Sequence, residues 1–460
     1  MKNLEVKEKL DSVGCGFCLA KWTQVTLHLQ TGFNHSCHHP TPHKIPLDEI
    51  QRDPRALHNT RFKKKRRREM LRGQRPSECE YCWNVEDNSN QFSDRIYKSS
   101  EPWSMPYFDQ IKDSKWRDNF NPKYVEVSFS NACNFKCSYC APAFSTTWMK
   151  EVKKYGGYPT TDNFNSIERM EQDDMVPIPL KDENPYVEAF WKWWPELYYD
   201  LDTFRITGGE PLMSKDTWKV LDFIIDNPNP NKELKLAINS NLGIDDNLVD
   251  NFIEKLKVIT GEDKVKEMIV FTSVDTYGDH AEYIRNGFSN QRFWTNVNKI
   301  LSQLPKVTVT VMSTYNALSP FRYNELIENI WELKREYQND VRYWKHPILL
   351  DTSYLRYPTH QTVRILEDEH KELILKNAEK ALYLGVPVFN RTDMAMTETE
   401  TRKIKRIYDW SYSDITEEEL VRDRNNFITF VDEHDRRRGT NFLKTFPELE
   451  EFYHKIKNGN

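Results

Sequence analysis

Cys133-Asn-Phe-Lys-Cys137-Ser-Tyr-Cys140 sets three thiols in a C-x3-C-x2-C run. Thiolates bind soft or borderline metals, chiefly Zn, Cu(I) and iron–sulfur clusters. A structural zinc takes four protein ligands, and a ferredoxin-type cluster takes four cysteines. This run supplies three. Three thiols can hold three irons of a [4Fe–4S] cluster and leave the fourth iron without a protein ligand, open to chemistry. A fourth ligand from afar would make the run a zinc site, and that alternative stays open.

The other cysteines point to a second site. All eight lie at or before residue 140, at positions 15, 18, 37, 79, 82, 133, 137 and 140. Scattered core cysteines would not segregate in this way, whereas two metal sites would. Cys18, Cys37, Cys79 and Cys82 suffice for a closed four-thiolate site. Cys15 is a fifth candidate, forming C-x2-C with Cys18, and spacing does not choose between them. A structural zinc on Cys15, Cys18, Cys79 and Cys82 is the alternative. Six of the twelve histidines precede residue 59. They read as polar loop residues, because the cysteines already suffice. A further motif is Thr207-Gly-Gly-Glu-Pro211. Its glycines let backbone approach a ligand closely, and Glu210 can accept a hydrogen bond from an ammonium.

These groups need elements to position them. Residues 1–105 read as a small Cys- and His-rich module. Val25, Leu27 and Leu29 alternate in a strand-like segment, Thr31-Gly32 turns the chain back toward Cys37, and a charged helix over 53–72 leads to Cys79 and Cys82. So small a module can use a metal to replace a missing core. From about 121 the pattern alternates strand and helix. Strands are expected at 124–129, 203–207, 234–238, 268–274, 307–312 and 347–350. Helices are expected at 144–154, 216–225, 246–256, 292–304 and 323–337. Such alternation argues for a parallel sheet or barrel, with reactive groups on the loops after the strands. The three-cysteine run follows the first of these strands and the Gly-Gly-Glu-Pro turn the second. Residues 156–184 read as an inserted loop, and the aromatic run from Val187 as a helix with an aromatic core face. Residues 351–460 look helical and charged.

At 460 residues with 29% charged side chains and a net charge of -5, the chain carries no global nucleic-acid signature. The basic run 63–68 reads as a solvated helix face. No stretch is apolar enough to span a bilayer, and the start has no secretory h-region, so a cytoplasmic setting with reduced thiols is expected.

C-x3-C-x2-C after strand one with Gly-Gly-Glu-Pro after strand two resembles the radical S-adenosylmethionine (radical SAM) superfamily, over roughly residues 121–350. The resemblance implies an α/β fold: a partial (β/α)6 TIM-like barrel over 106–350, beside the N-terminal module and a helical C-terminal region. It implies a [4Fe–4S] cluster on Cys133, Cys137 and Cys140 with SAM on the open iron. Gly208, Gly209 and Glu210 would bind the SAM amino group, and Tyr139 would lie near the adenine. Ser240, Asn241, Ser273 and Asp275 align with residues that meet the ribose or carboxylate, although short polar residues at strand ends are also ordinary caps. The implied chemistry is one-electron cleavage of SAM to a 5′-deoxyadenosyl radical that takes a hydrogen atom from a substrate. The N-terminal cysteines resemble a twitch or SPASM-type module, which implies an auxiliary [4Fe–4S] cluster with Cys18, Cys37, Cys79 and Cys82 as its ligands. Asp435-Arg-Arg-Arg-Gly-Thr440 and Phe446-Pro-Glu-Leu resemble a group with this domain order. A peptide or protein substrate and a donor such as flavodoxin or ferredoxin are the implied partners. A nucleotide, sugar or other metabolite is the alternative substrate. A non-catalytic zinc-stabilised protein that binds RNA through 63–68 is the alternative from another class.

Overall fold

The computed structural model describes residues 2–339, 341–342, 346–385 and 395–459. Its strands are β1 (Gln24–His28), β2 (Phe33–His35), β3 (His43–Lys44), β4 (Tyr124–Ser128), β5 (Lys136–Cys137), β6 (Thr203–Thr207), β7 (Lys235–Asn239), β8 (Glu267–Ser273), β9 (Arg285–Asn286), β10 (Thr308–Tyr315) and β11 (Ile348–Tyr354). Nine of them form one sheet in the order β11-β10-β8-β7-β6-β4-β1-β2-β3. The stretch from β11 to β1 is parallel throughout, and the β2–β3 hairpin closes that end antiparallel. β5 and β9 pair separately. The six strands read from the sequence between 124 and 350 are β4, β6, β7, β8, β10 and β11.

β1 joins that sheet as a seventh parallel strand. It pairs in register with β4, Gln24 to Tyr124 through His28 to Ser128. Cys18 precedes β1 and the C-x3-C-x2-C loop follows β4, so these cysteines flank opposite ends of two neighbouring parallel strands.

The strands alternate strictly, since successive side chains leave a strand on opposite faces. Val25, Leu27, Val125, Val127, Phe204, Ile206, Leu236 and Ile238 enter the main core. That face is covered by helices with side-chain N-caps, including Lys215–Asp226 behind Ser214, Asp246–Gly261 behind Asp245 and Asn290–Gln303 behind Ser289. The aromatic helix is Pro185–Asp200, capped by Asn184, and it buries Phe190, Trp193, Trp194 and Tyr198 as a core face. On the other face of the sheet Glu126, Arg205, Asn239, Phe271 and Met312 are half-buried. A parallel sheet covered on both faces is apolar on both, so this face looks onto a polar interior.

The N-terminal region has its own smaller core around Phe17, Trp22, Met70, Trp83 and Phe108, which includes Cys79 and Cys82. The basic run is not simply a solvated face. Within the helix Arg61–Leu71, Lys63 and Arg67 are buried. Four residues apart, they point the same way and donate to the carbonyls of Gln24 and Lys21. The N-terminal histidines also differ from loop residues: His28 and His35 lie on β1 and β2, and buried His58 bonds the Trp22 carbonyl. After β11 the described residues are mainly helical, with Asp368–Leu384, Glu398–Ser411, Glu417–Arg438 and Glu450–Lys457 the main elements.

Candidate metal and cofactor sites

Cys133, Cys137 and Cys140 lie on the loop after β4, and the backbone fixes each of them. The Cys133 amide donates to Thr146 Oγ1 (3.2 Å), whose hydroxyl donates back to the Cys133 carbonyl (3.1 Å). Cys137 pairs with Arg285 across β5 and β9, and Trp148 Nε1 donates to its carbonyl (2.8 Å). The Asp435–Thr440 motif clamps this loop from behind. Arg438 donates to the Lys136 carbonyl (2.9 Å) and to Glu151 (3.2 Å), and Arg437 donates to the carbonyls of Gly156 and Gly157, each at 2.9 Å. Burial and the neighbouring sulfurs push the Cys133 thiol up, and Cys140 is pushed up to about 12 by the same causes. A metal must displace those protons. Among the described residues, no three cysteine sulfurs lie within 4.8 Å of one another; Glu367, Glu369 and His370 are the group that does.

The Gly-Gly-Glu-Pro turn packs directly on the start of the cysteine loop. Gly208 has φ +127°, and a Cβ there would stand 2.6 Å from Ser128 Oγ; at Gly209 it would stand 2.4 Å from the Ala132 carbonyl oxygen. The Glu210 amide donates to that same carbonyl (2.6 Å). The Glu210 carboxylate is buried and accepts from the amides of Leu212 (3.0 Å) and Asn241 (2.6 Å) and from Ser240 Oγ (2.9 Å). Asn241 reaches on to Asn134 Oδ1 (2.9 Å), beside Cys133. Glu210, Ser240 and Asn241 thus form one bonded set.

Burial pushes the Glu210 carboxyl up to about 7, against the pull of its three donors. With a folded value above the unfolded one, the folded state keeps a proton that the unfolded state has lost. Stability therefore falls as pH rises from the ordinary carboxylate range to about 7, by on the order of 3 kcal/mol. Urea midpoints from about pH 5 to about pH 7.5 should carry this slope in the wild type and lose it in Glu210→Gln.

A second set joins Tyr139 and Asp275. Asp275 is fully buried and pairs with Arg285 (2.8 Å). It also accepts from the Tyr139 hydroxyl (2.8 Å) and the Thr314 amide (2.9 Å). Arg285 donates to the Tyr139 oxygen (2.6 Å) and lies 3.6 Å from Cys137 Sγ. Burial opposes the Arg285 charge, but Asp275, Tyr139 and Cys137 outweigh it and hold the guanidinium protonated. Sequence reasoning missed Arg285, Asn134 and Arg438; only the Asp435–Thr440 motif offered a signal, and only for the last. Ser273 ends β8 half-buried, and no described side-chain hydrogen bond ties it to either set.

Cys18, Cys37, Cys79 and Cys82 line one small pocket together with Lys21, Asp94 and Arg95. Cys15 is exposed and its thiol faces the Gly73 carbonyl at 3.5 Å. Burial, then the facing sulfurs of Cys37, Cys82 and Cys79, push Cys18 up to about 12. Lys21, buried at the same pocket, is paired with Glu78. A separate cleft of about 710 Å³ borders Ser130 and Ala132 and is walled by residues 178–184 and Trp191.

No family model matches the chain. Part of it is similar to the GTP 3′,8-cyclase of Psychromonas ingrahamii, 30% identical over 109 residues, which is 23% of this chain and 23% of that protein. Part is similar to the GTP 3′,8-cyclase of Shewanella denitrificans, 28% identical over 130 residues, 27% of this chain and 29% of that protein. The chain thus spans less than a third of the length of the curated relatives it matches.

Proposed function

We propose that the chain is a radical SAM enzyme with two iron–sulfur clusters. One observation carries the reading: the loop of Cys133, Cys137 and Cys140 and the Gly208–Glu210 turn are packed backbone to backbone at the ends of adjacent parallel strands. A three-thiol site beside a buried carboxylate suits an open cluster whose free iron takes an amino acid cofactor. The partial similarity to two GTP 3′,8-cyclases supports the same class.

At the Cys133–Cys140 run, three local thiols suit an iron–sulfur cluster with one open iron better than a structural zinc, which takes four protein ligands. In this reading residues 106–350 supply six strands of a partial barrel that β1 extends, 1–105 an auxiliary-cluster module and 351–460 a helical cover. When bound, the cluster and SAM would supply a 5′-deoxyadenosyl radical for hydrogen abstraction. The chain's own residues have distinct parts. Gly208 and Gly209 let the turn close directly onto the cysteine loop, and Glu210 receives the ammonium of the ligand. Ser240 and Asn241 aim that carboxylate. Tyr139, held by Asp275 and Arg285, is the adenine-side wall. Ser273, at the end of β8, is a further candidate for the ribose side. Flavodoxin or ferredoxin would serve as electron donor in the cytoplasm.

Anaerobic reconstitution should give brown protein that forms 5′-deoxyadenosine from SAM and dithionite; a fully loaded sample that forms none, with or without candidate substrates, would falsify the reading. For the auxiliary site we favour Cys18 over Cys15. Cys15→Ser should keep the full iron content, whereas Cys18→Ser should lose most of the N-terminal iron. Iron assay together with the visible charge-transfer band reads both.

A further inference from the structure

The polar face of the sheet carries more unsatisfied hydrogen-bonding groups than a core tolerates. Buried polar groups are nearly always paired. Yet Thr26 Oγ1, His28 Nδ1, Glu126 Oε2 and Ser128 Oγ are buried and have no hydrogen-bond partner in the structure. Thr26 and Ser128 are 2% and 1% exposed. The strand register puts all four on the same face, with Thr26 opposite Glu126 and His28 opposite Ser128. Arg205 is the next in-register neighbour of Glu126 on β6.

Opposite charges on adjacent strands usually meet. Among the described residues no carboxylate–guanidinium contact joins Glu126 and Arg205. Arg205 instead donates to Asn239 Oδ1 (2.9 Å) and lies 4.1 Å over the Phe271 ring. The two charges are held side by side and apart. The face also spans the two cysteine sets. Ser128 touches the Gly208 turn. At the other edge His35 bonds the Cys37 carbonyl through Nδ1. His28 Nε2 lies 3.1 Å from His35 Nε2, and His28 Nδ1, on the other side of the ring, has no partner.

We propose that this face is a substrate pocket for an amino-acid unit, free or within a peptide. The ammonium or amide N–H of the unit meets Glu126 and its carboxylate or carbonyl oxygen meets Arg205. Calling the ligand a substrate rests on the radical SAM reading; the binding site does not. The charge balance selects the ligand class. The strands of this face carry one formal carboxylate and one guanidinium, which suit a zwitterion or a neutral peptide unit; Lys98 lies beyond its edge, in the pocket of the N-terminal cysteines. A nucleoside triphosphate would need several cations. Burial, then the neighbouring His35, pushes His28 down to about 4, so that imidazole is neutral near pH 7. Lys21 is taken by Glu78, and Lys63 by the Gln24 carbonyl and His58. The unpartnered Glu126 Oε2 is an acceptor, which calls for a donor-bearing ligand.

The test is anaerobic equilibrium dialysis of the reconstituted holoprotein with SAM. The probes are an equimolar mixture of the common L-amino acids, a tetrapeptide library and GTP, each read by mass spectrometry. The proposal expects the wild type to retain members of the amino-acid or peptide sets. Glu126→Gln and Arg205→Gln should each cut that retention at least tenfold, because each strands a buried charged partner. Arg205→Lys replaces Arg205→Gln if the latter fails to load iron. Three outcomes overturn it: retention unchanged in both variants, no retention of either set by the wild type, or GTP retention that either variant abolishes. Formation of 5′-deoxyadenosine by the wild type in the same preparation reports separately on the radical SAM reading.

Discussion

Replacing Cys133, Cys137 and Cys140 together by Ala should abolish 5′-deoxyadenosine formation and leave roughly half of the iron, about four of about eight atoms per chain if both sites hold four-iron clusters. The loss should be specific because most of what fixes this loop is not sulfur. The Thr146 bonds to Cys133 and the Trp148 bond to Cys137 use backbone groups. Arg438 also holds the Lys136 carbonyl within the loop, and Ala preserves all of these. The thiol side chains themselves engage Phe135 N–H and Arg285 only weakly, at 3.5 and 3.6 Å. The remaining iron should persist because the N-terminal cysteines sit in their own pocket against a separate core. Iron assay, electron paramagnetic resonance of the dithionite-reduced sample and chromatographic quantitation of 5′-deoxyadenosine check the expectation. A triple variant with full iron and undiminished cleavage would sink the assignment. One that loses all its iron would mean that the N-terminal site does not hold a cluster independently.

Much of this arrangement was legible in local pattern. Period-two alternation located Val25, Leu27 and Leu29 as core residues, and strand β6 falls where it was expected, at Thr203–Thr207. The Gly-Gly-Glu-Pro turn and the cysteine run announced themselves by residue type. What local pattern does not carry is pairing across long separations. The register of β1 with β4 joins residues about a hundred positions apart, and loop-closure entropy leaves no imprint on either segment alone. The same holds for Arg285. Nothing around Arg285-Asn-Gly distinguishes it from a surface arginine until β9 sets it opposite Cys137. The basic run misled for a different reason. A run of like charges suggests solvent, but helical geometry turned Lys63 and Arg67 inward onto carbonyls of the preceding strand and helix.

Those long-range contacts set the second large effect. Asp275→Ala should destabilise the protein by about 3–5 kcal/mol, the usual consequence of removing one partner from a buried ion pair. Arg285 is 7% exposed and Asp275 is 0% exposed, so the abandoned guanidinium has little water to turn to. Two more donors are stranded with it, the Thr314 amide and the Tyr139 hydroxyl. Asp275→Asn keeps an acceptor of the same shape and should cost less. Replacing both partners, as Asp275→Ala with Arg285→Met, removes the buried charge altogether and should recover a large part of the loss, since an apolar substitute for a buried pair is often close to neutral. Urea midpoints for the wild type, both single variants and the double variant close a double-mutant cycle. A cost below about 1 kcal/mol for Asp275→Ala, or a double variant as unstable as the sum of the two singles, would show that the pair is not coupled. Because Tyr139 is held by both partners, the pair governs the wall beside the third cysteine as well as the stability of the fold. Arg285→Lys separates the two roles: it keeps the charge against Asp275 but lacks the fork that also reaches the Tyr139 oxygen. It should retain most of the stability while SAM affinity, read by equilibrium dialysis of the loaded protein, weakens by about tenfold, the loss of roughly one hydrogen bond to a charged group.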